Sequence, residues 1–421
     1  MTPEMQTPLV QDVRKTIAYI LCISLFVGLI CSKFLISLSM IAFVVVGVFS
    51  PTLKIDIQQL WKNKGYTMTL GIFLLFLISS MMSTNMEAAI VRLRIALPLF
   101  FLPIAFALLP PFSKKEYQQL LFIFLSGMSL TCLGVLINYG LNYEEMQQLL
   151  VVSKAIPTPN GDHIRFSLMI NLAVFAGFWL LQEQFCWRHK NEKWLIGLLV
   201  LFLMLTLHIL SVRIGMVILY LGISVTILYY MLYKRYYWLG LLLIGGILVV
   251  PYLAYRYVPS IQTKVNLTRH NWHMYQKGTY GEYSDTRRLL SYEIAWDVAK
   301  QAPWLGVGVG DLNDEQARLY KKKYPDQKVM YPHNFFLTIY AATGILGLLF
   351  FLVCFFFPFF YHKQYRNLFF LLFYLTIFLS FMTENTLLNA IGVGIYSFFL
   401  LFSMNYLEGR RKAAAVQPKR N

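Results

Sequence analysis

The chain has 421 residues, of which 57% are apolar and 14% are charged, and its formal net charge is +17. This apolar share exceeds what the core of a soluble protein of this length buries, so the surplus is expected to face lipid. The basic residues stand in short clusters between apolar runs, which is typical of membrane proteins, so nucleic acid is not expected as a partner. The five cysteines form no CxxC or metal-ligand spacing and are interpreted as small apolar side chains.

Apolar stretches of about 20 residues, the length that a helix needs to cross the hydrocarbon layer, recur along the whole chain. They predict an all-α polytopic membrane protein with about 12 transmembrane helices. The first stretch leads directly into the second without a cleavage site, so it is expected to remain a membrane span. The predicted spans are 16–32, 34–50, 66–83, 89–109, 116–139, 164–182, 194–210, 212–233, 237–256, 334–358, 366–382 and 387–407.

Basic residues alternate between the loops, and this alternation predicts the orientation, because Lys and Arg near short loops stay on the cytoplasmic side. Two basic residues, Lys33 and Lys154, fall in the short loops on the other side. Both termini are therefore expected in the cytoplasm. The residues assigned to the cytoplasmic side are Arg14, Lys15, Lys54, Lys62, Lys64, Lys114, Lys115, Arg188, Lys190, Lys193, Lys234, Arg235, Lys363, Arg366, Arg410, Arg411, Lys412, Lys419 and Arg420.

The one long connection, 257–332, joins the ninth and tenth spans and is predicted to lie outside, as a periplasmic loop subdomain. The chain would then divide into 1–256 with helices 1 to 9, the loop subdomain 257–332, and 333–421 with helices 10 to 12 and a basic cytoplasmic tail. Within the loop, an amphipathic helix is predicted over about 286–301, ending before Pro303. Its apolar face comprises Leu289, Leu290, Ile294 and Val298.

Four arginines stand at the outer edge of predicted spans: Arg92, Arg94, Arg165 and Arg213. Ionisable groups at this depth are costly unless they are paired or solvated, so each is a functional candidate. A single arginine could equally extend to lipid phosphates. Because all four lie on the same side, against the expected bias, a shared anionic ligand is the favoured interpretation.

The long loop adds Arg287 and Arg288 before its predicted helix, and then a glycine-rich segment at 303–311. The glycines resemble a phosphate-binding loop, but no strand precedes them and no helical lysine follows, so a nucleotide site is not expected. Their expected role is to let the backbone turn tightly or lie close to a neighbour or ligand.

His333 follows Pro332 at the outer mouth of the tenth span. An imidazole there could take a proton from an acceptor hydroxyl near neutral pH, or it could simply be a solvated interfacial residue. His270 and His273 form an HxxH pair without a nearby acid, so no metal site is expected. Glu384, before the last span, is expected to pair with an arginine.

These motifs occur in a fixed order: Ser211-Val212-Arg213 at a span start, Arg288-Leu289, then Pro303 with Gly306 and Gly308, and finally Pro332-His333-Asn334 with Leu337. This order resembles the O-antigen ligase and O-antigen polymerase superfamily, the GT-C type glycosyltransferases of the Gram-negative inner membrane. The resemblance covers about residues 90–400. The Thr383-Glu384-Asn385 segment also fits the pattern.

The resemblance implies a donor glycan on undecaprenyl pyrophosphate, a sugar hydroxyl of lipid A-core as acceptor, and no cofactor or metal ion. It further implies an inverting transfer on the periplasmic side of the bacterial inner membrane. By the same resemblance, Arg213 and Arg288 would bind the pyrophosphate and His333 would activate the acceptor. Arg288 is preferred over Arg287 because of its spacing to Pro303. The residues expected to support this site are Arg92, Arg94, Arg165, Arg287 and Glu384.

The leading hypothesis is therefore an O-antigen ligase. A polysaccharide polymerase shares the donor chemistry, but polymerases typically have two large arginine-rich outer loops, whereas this chain has one. A protein O-oligosaccharyltransferase would often have an extended C-terminal region, and this chain ends in a short basic tail. The non-enzymatic alternative is a flippase or other transporter for lipid-linked glycans, for which repeated halves and a site near the bilayer midplane are typical.

Overall fold

The computed structural model describes residues 3–144, 146, 155–235, 237–257, 259–278 and 284–416. Throughout these residues the regular structure is helical, without strands, as the all-α prediction requires. The helices are α1 (Pro3–Cys31), α2 (Lys33–Val48), α3 (Leu53–Lys62), α4 (Lys64–Met81), α5 (Met86–Ala96), α6 (Pro98–Leu108), α7 (Lys114–Leu141), α8 (His163–Gln182), α9 (Glu192–Leu210), α10 (Arg213–Lys234), α11 (Trp238–Tyr257), α12 (Pro259–Gln276), α13 (Ser284–Gln301), α14 (Leu312–Lys323), α15 (Phe335–Phe360), α16 (Leu368–Thr383) and α17 (Ala390–Val416). Lys154, Lys419 and Arg420 lie outside the described residues.

Eleven of the twelve predicted spans each coincide with one helix. The span predicted at 89–109 coincides with the pair α5 and α6. These two helices meet at Leu97, because Pro98 has no amide hydrogen to donate. Nine stretches of the described chain are long and apolar enough to cross a membrane, and a tenth is added only if the bent pair α2 and α3 is counted as one span. Helices α2 and α16 have 16 residues each. Such helices are about 24 Å long, less than the ~30 Å of the hydrocarbon layer. The chain is thus a multi-pass membrane protein, and the count of twelve stays a prediction.

Helix α3 leaves the direction of α2 at an angle of 111°. It is amphipathic, with Lys54 and Lys62 beside the exposed apolar residues Ile55 and Trp61, whereas Leu60 is buried. A short helix with this composition is typical of the membrane interface. We therefore interpret α3 as an interfacial helix and not as part of a span.

The buried Arg14 side chain holds the ends of two helices together. Helix α1 already includes this residue, which the sequence assigned to the cytoplasmic flank. Its guanidinium donates to the carbonyl oxygens of Val46 (3.1 Å), Gly47 (3.2 Å) and Leu108 (2.8 Å), at the C-terminal ends of α2 and α6. Such terminal carbonyls have no partner within their own helix and attract a cation. Arg14 thus fixes three helices at one end of the bundle.

The glycine-rich segment of the long loop inserts beside a break in α15. Gly306 (φ +73°) and Gly344 (φ +66°) both adopt backbone conformations that favour glycine. The Gly308 amide donates to the Ala342 carbonyl (2.9 Å), and the Ile345 amide donates to the Pro303 carbonyl (2.9 Å). A Cβ atom at Gly306 would lie 2.3 Å from the carbonyl carbon of Ala342. The segment therefore lies close to its neighbour, the role expected of these glycines.

The same segment is also bound to the C-terminal end of α4 and to the start of α5. The amides of Val309 and Gly310 donate to the hydroxyls of Ser79 (3.0 Å) and Ser83 (2.9 Å). The Asp311 carboxylate accepts from the amides of Thr84 (2.7 Å) and Asn85 (2.6 Å), just before α5 begins. These contacts anchor the glycine-rich end of the loop to α4 and α5.

Candidate functional site

The Glu384 carboxylate lies at the centre of a polar cluster, directly after the last residue of α16. Its Oε1 atom is 3.0 Å from Nδ1 of His333 and 3.2 Å from Nη2 of Arg288. Its Oε2 atom is 3.8 Å from Nη1 of Arg165. The Glu384 side chain is only 6% exposed. Burial alone would raise the pKa of this carboxyl, but the hydrogen bond and charge of His333 and the charges of both arginines hold the pKa below its ordinary value.

The cationic members of this cluster come from the beginnings of three helices. Arg165 lies in the first turn of α8 and Arg288 near the start of α13, while His333 precedes α15 by two residues. Asn334 caps α15 by accepting a hydrogen bond from the Leu337 amide (3.0 Å). The helix predicted at 286–301 is observed as α13, and the buried side chains that fix it are Leu290, Ile294 and Val298.

Three further hydrogen bonds fix the backbone that carries His333. The Tyr292 hydroxyl donates to the His333 carbonyl (2.9 Å). The Asn385 amide donates to the Pro332 carbonyl (2.6 Å), and its own oxygen accepts from the Thr338 hydroxyl (2.7 Å). The first two bonds fix the backbone at Pro332 and His333, and the third holds the Asn385 side chain in place against α15.

Arg165 has hydrogen-bonding capacity left over. Asp162 caps α8 by accepting from the Arg165 amide (3.0 Å), and its carboxylate also lies 3.4 Å from the Arg165 guanidinium. The Nε atom of Arg165 is buried and has no hydrogen-bond partner among the described residues. A buried guanidinium donor without a partner is costly, so this N–H is suited to an oxygen of a ligand.

The negative charge of Glu384 determines which ring nitrogen of His333 carries the proton. An ionised carboxylate only accepts hydrogen bonds, so Nδ1 of His333 carries the proton that points at Glu384. In a neutral imidazole the other ring nitrogen, Nε2, is then an acceptor. The His333 side chain remains 24% exposed. The arrangement can therefore accept a proton from an approaching hydroxyl, with positive charge nearby to bind an anion.

Arg213 lies at the same end of the bundle as this cluster. It begins α10, and its guanidinium donates to the Thr268 hydroxyl on α12 (3.1 Å). Two residues later, Gly215 accepts a hydrogen bond from Asn171 of α8 (3.0 Å) and packs against Ser167. The start of α10 is therefore next to the start of α8, where Arg165 lies.

The other predicted arginines have different surroundings. The Arg92 guanidinium lies 5.8 Å from the centre of the Tyr331 ring, whereas Arg94 lines an apolar groove between α2 and the α5–α6 pair. Arg287 lies near Tyr320 of α14 and contributes to the electrostatics of its hydroxyl. Of the two adjacent arginines, the structure thus pairs Arg288 with Glu384. Within the described ranges, no group of three or more His, Cys, Asp or Glu side chains could hold a metal ion.

Sequence reasoning assigned no role to three residues of the cluster, Asp162, Tyr292 and Asn385, although Asn385 belongs to the segment that fits the superfamily pattern. The position of each residue in the sequence could have indicated its place in the cluster. Asp162 stands three residues before Arg165, as a helix cap does. Tyr292 follows Arg288 by one helical turn, and Asn385 directly follows Glu384.

Comparison with known proteins adds one match. Residues 197–352 match a family model described as O-antigen ligase. The matched range includes Arg213, Arg288 and His333 and ends before Glu384. No curated protein matches the chain. This match supports the resemblance of the chain to the O-antigen ligase superfamily, whose members are ligase- and polymerase-type membrane glycosyltransferases.

Proposed function

We propose that this protein is an inverting, metal-independent O-antigen ligase. It would move a glycan from undecaprenyl pyrophosphate to a hydroxyl of lipid A-core, without a cofactor. The observation that supports this proposal is the convergence of Arg165, Arg288 and His333 on the buried carboxylate of Glu384.

The arginines account for the donor side of the reaction. Guanidinium groups bind phosphate oxygens bidentately and stay charged at a membrane surface. In the proposal, Arg288 and Arg213 bind the pyrophosphate of the donor, and the unpartnered Nε of Arg165 offers a further donor at the same end. Their charge stabilises the negative charge that develops on the departing pyrophosphate. Arg92, Arg94 and Arg287 stay supporting candidates.

His333 accounts for the acceptor side. Its Nε2 atom takes the proton of the acceptor hydroxyl while the hydroxyl oxygen forms a bond to the anomeric carbon of the donor glycan. The bond between that carbon and the pyrophosphate oxygen breaks, and undecaprenyl pyrophosphate leaves with the electron pair. Attack opposite the leaving group inverts the anomeric centre. Glu384 keeps the proton on Nδ1 and stabilises the imidazolium that forms, as a carboxylate does in other histidine-based sites.

The proposal includes a topology. Twelve helices would cross the bacterial inner membrane, with both termini cytoplasmic and the Glu384 cluster on the periplasmic side. The connection 257–332 would form the periplasmic subdomain between 1–256 and 333–421. The distribution of basic residues supports this orientation, and the docking of the loop onto α4 and α5 is compatible with it.

The experiment that tests the function offers purified protein a lipid-linked repeat unit together with one of two acceptors, lipid A-core or a second lipid-linked unit. A ligase transfers the glycan to lipid A-core and releases undecaprenyl pyrophosphate. Growth of the lipid-linked chain instead would identify a polymerase, and transfer to an added protein hydroxyl would identify a protein O-oligosaccharyltransferase. Movement of the donor across a vesicle bilayer without bond cleavage would identify a transporter and refute the proposal.

A further inference from the structure

A cavity of about 320 Å³ lies at the end of the bundle opposite the Glu384 cluster. Helix α17 begins at Ala390, near Glu384, and reaches the cavity at Glu408. At 1.5 Å per residue, these two positions are about 27 Å apart. This is the end that holds the predicted cytoplasmic loops. None of the cavity residues belongs to the proposed reaction.

Buried apolar side chains form part of the inner wall of the cavity. Leu60, Tyr66 and Phe106 are buried side chains that line it. Asn405, also buried, accepts from the Phe112 amide (2.9 Å) and donates to the Phe106 carbonyl (3.3 Å), so it fixes the connection between α6 and α7. These side chains give the cavity an apolar inner wall beside its polar rim.

The rim of the cavity has an excess of positive charge. Three cations line it, Lys62, Arg411 and Lys412, against one carboxylate, Glu408. Glu408 is already paired with Arg411, whose guanidinium contacts both of its oxygens at 2.7 and 3.2 Å. Lys412 donates to the Gln59 side chain (2.9 Å) and lies 3.8 Å from Glu408. Two positive charges are therefore left for an anion.

We propose that this cavity binds the phosphate of an anionic membrane phospholipid. Phosphate fits the ammonium groups of Lys62 and Lys412, and the apolar wall fits the glycerol and the first methylenes of the acyl chains. A lipid source is favoured over free phosphate because the cavity adjoins α3. The exposed Ile55 and Trp61 of this helix place it at the level where headgroups lie.

The probe is phosphatidylglycerol, titrated into the purified full-length protein in neutral detergent and followed by native mass spectrometry. Phosphatidylcholine serves as the zwitterionic comparison. The double variant K62Q/K412Q should bind phosphatidylglycerol roughly thirtyfold more weakly, because two cations near the phosphate are lost. The matched control is K54Q, which removes an exposed lysine of the same helix that does not line the cavity. K54Q should retain the affinity of the unmodified protein.

A second variant tests the cavity itself without changing its charge. Ala107 lines the cavity, and A107F should fill part of it and reduce phosphatidylglycerol binding. Unchanged affinity in both K62Q/K412Q and A107F would overturn the proposal, as would equally tight binding of phosphatidylcholine. Displacement of the lipid by an equal concentration of glycerol 1-phosphate would assign the site to a soluble phosphate ester and refute the lipid source.

Discussion

Glu384 accepts a hydrogen bond from Nδ1 of His333 at 3.0 Å, although the two residues are 51 positions apart in the chain. The same carboxylate oxygen lies 3.2 Å from Arg288, which is 96 positions away. One buried acid therefore orients the proposed base and holds an arginine of the proposed donor site.

Replacing Arg288 or His333 by Ala should abolish glycan transfer, because the first removes a phosphate ligand and the second removes the proton acceptor. A lost general base alone lowers the rate by about 10²- to 10⁴-fold. The measurement is the initial rate of transfer to lipid A-core by purified protein. Arg318→Ala is the control, since this exposed arginine of α14 pairs with Glu315 away from the cluster. Transfer by both cluster variants at the unmodified rate would contradict the assignment.

Arg213→Lys should impair transfer although it keeps the positive charge, because an ammonium group cannot reproduce the bidentate geometry of a guanidinium. The expected change is a higher KM for the lipid-linked donor with little change in KM for lipid A-core. Steady-state kinetics with each substrate varied in turn measures this. Normal turnover of Arg213→Lys would indicate that Arg213 serves only to contact lipid phosphates.

Glu384→Gln should destabilise the protein in a pH-dependent way. The folded protein holds the pKa of Glu384 below the ordinary value of 4.5, so the ionised carboxylate stabilises the folded state. This contribution is fully present above pH 4.5 and is lost as the pH falls through the lower pKa of the folded state. The difference in Tm between the unmodified protein and the variant should therefore be largest near pH 7, corresponding to about 1–3 kcal/mol, and should shrink below pH 4.5. If the difference in Tm grew as the pH fell, the ionised carboxylate of Glu384 would not stabilise the folded state.

Gly306→Ala should detach the glycine-rich segment from α15 and lower both Tm and activity. Its Cβ atom would overlap the Ala342 backbone at 2.3 Å, in addition to the cost of about 1–2 kcal/mol for a non-glycine residue at positive φ. Gly278→Ala separates the two effects, since Gly278 has φ +70° and no atom within 4 Å of the added Cβ. If Gly306→Ala and Gly278→Ala lowered Tm and activity to a similar extent, the contact between the glycine-rich segment and α15 would not be needed for stability or activity.

Arg14→Gln should lower the free energy of unfolding by about 3 kcal/mol, because charged hydrogen bonds to buried carbonyls at the ends of α2 and α6 are lost. Thermal unfolding in detergent measures the change. Lys115→Gln removes an exposed cation assigned to the same side of the membrane and should leave Tm nearly unchanged. Equal effects of the two variants would indicate a general influence of charge instead of the specific contacts of Arg14.

The sequence by itself determined the all-helical membrane class, the approximate ends of the helices and the loop helix α13. These features depend on local quantities: the transfer of an apolar stretch into lipid, the 3.6-residue periodicity of Leu290, Ile294 and Val298, and the restriction imposed by Pro303. The order of Arg213, Arg288 and His333 also predicted the superfamily, which the domain match at 197–352 supports.

The tertiary structure alone decided which charged groups meet. Arg287 and Arg288 are adjacent in sequence, and only the packing of α13 turns Arg288 toward Glu384. Arg165 joins the same carboxylate from a helix more than two hundred positions earlier, and Arg14 binds helix ends that no local pattern connects to it. The local properties of the sequence do not predict such pairs. Two residues that are distant in the chain come into contact only when the helices that carry them pack together.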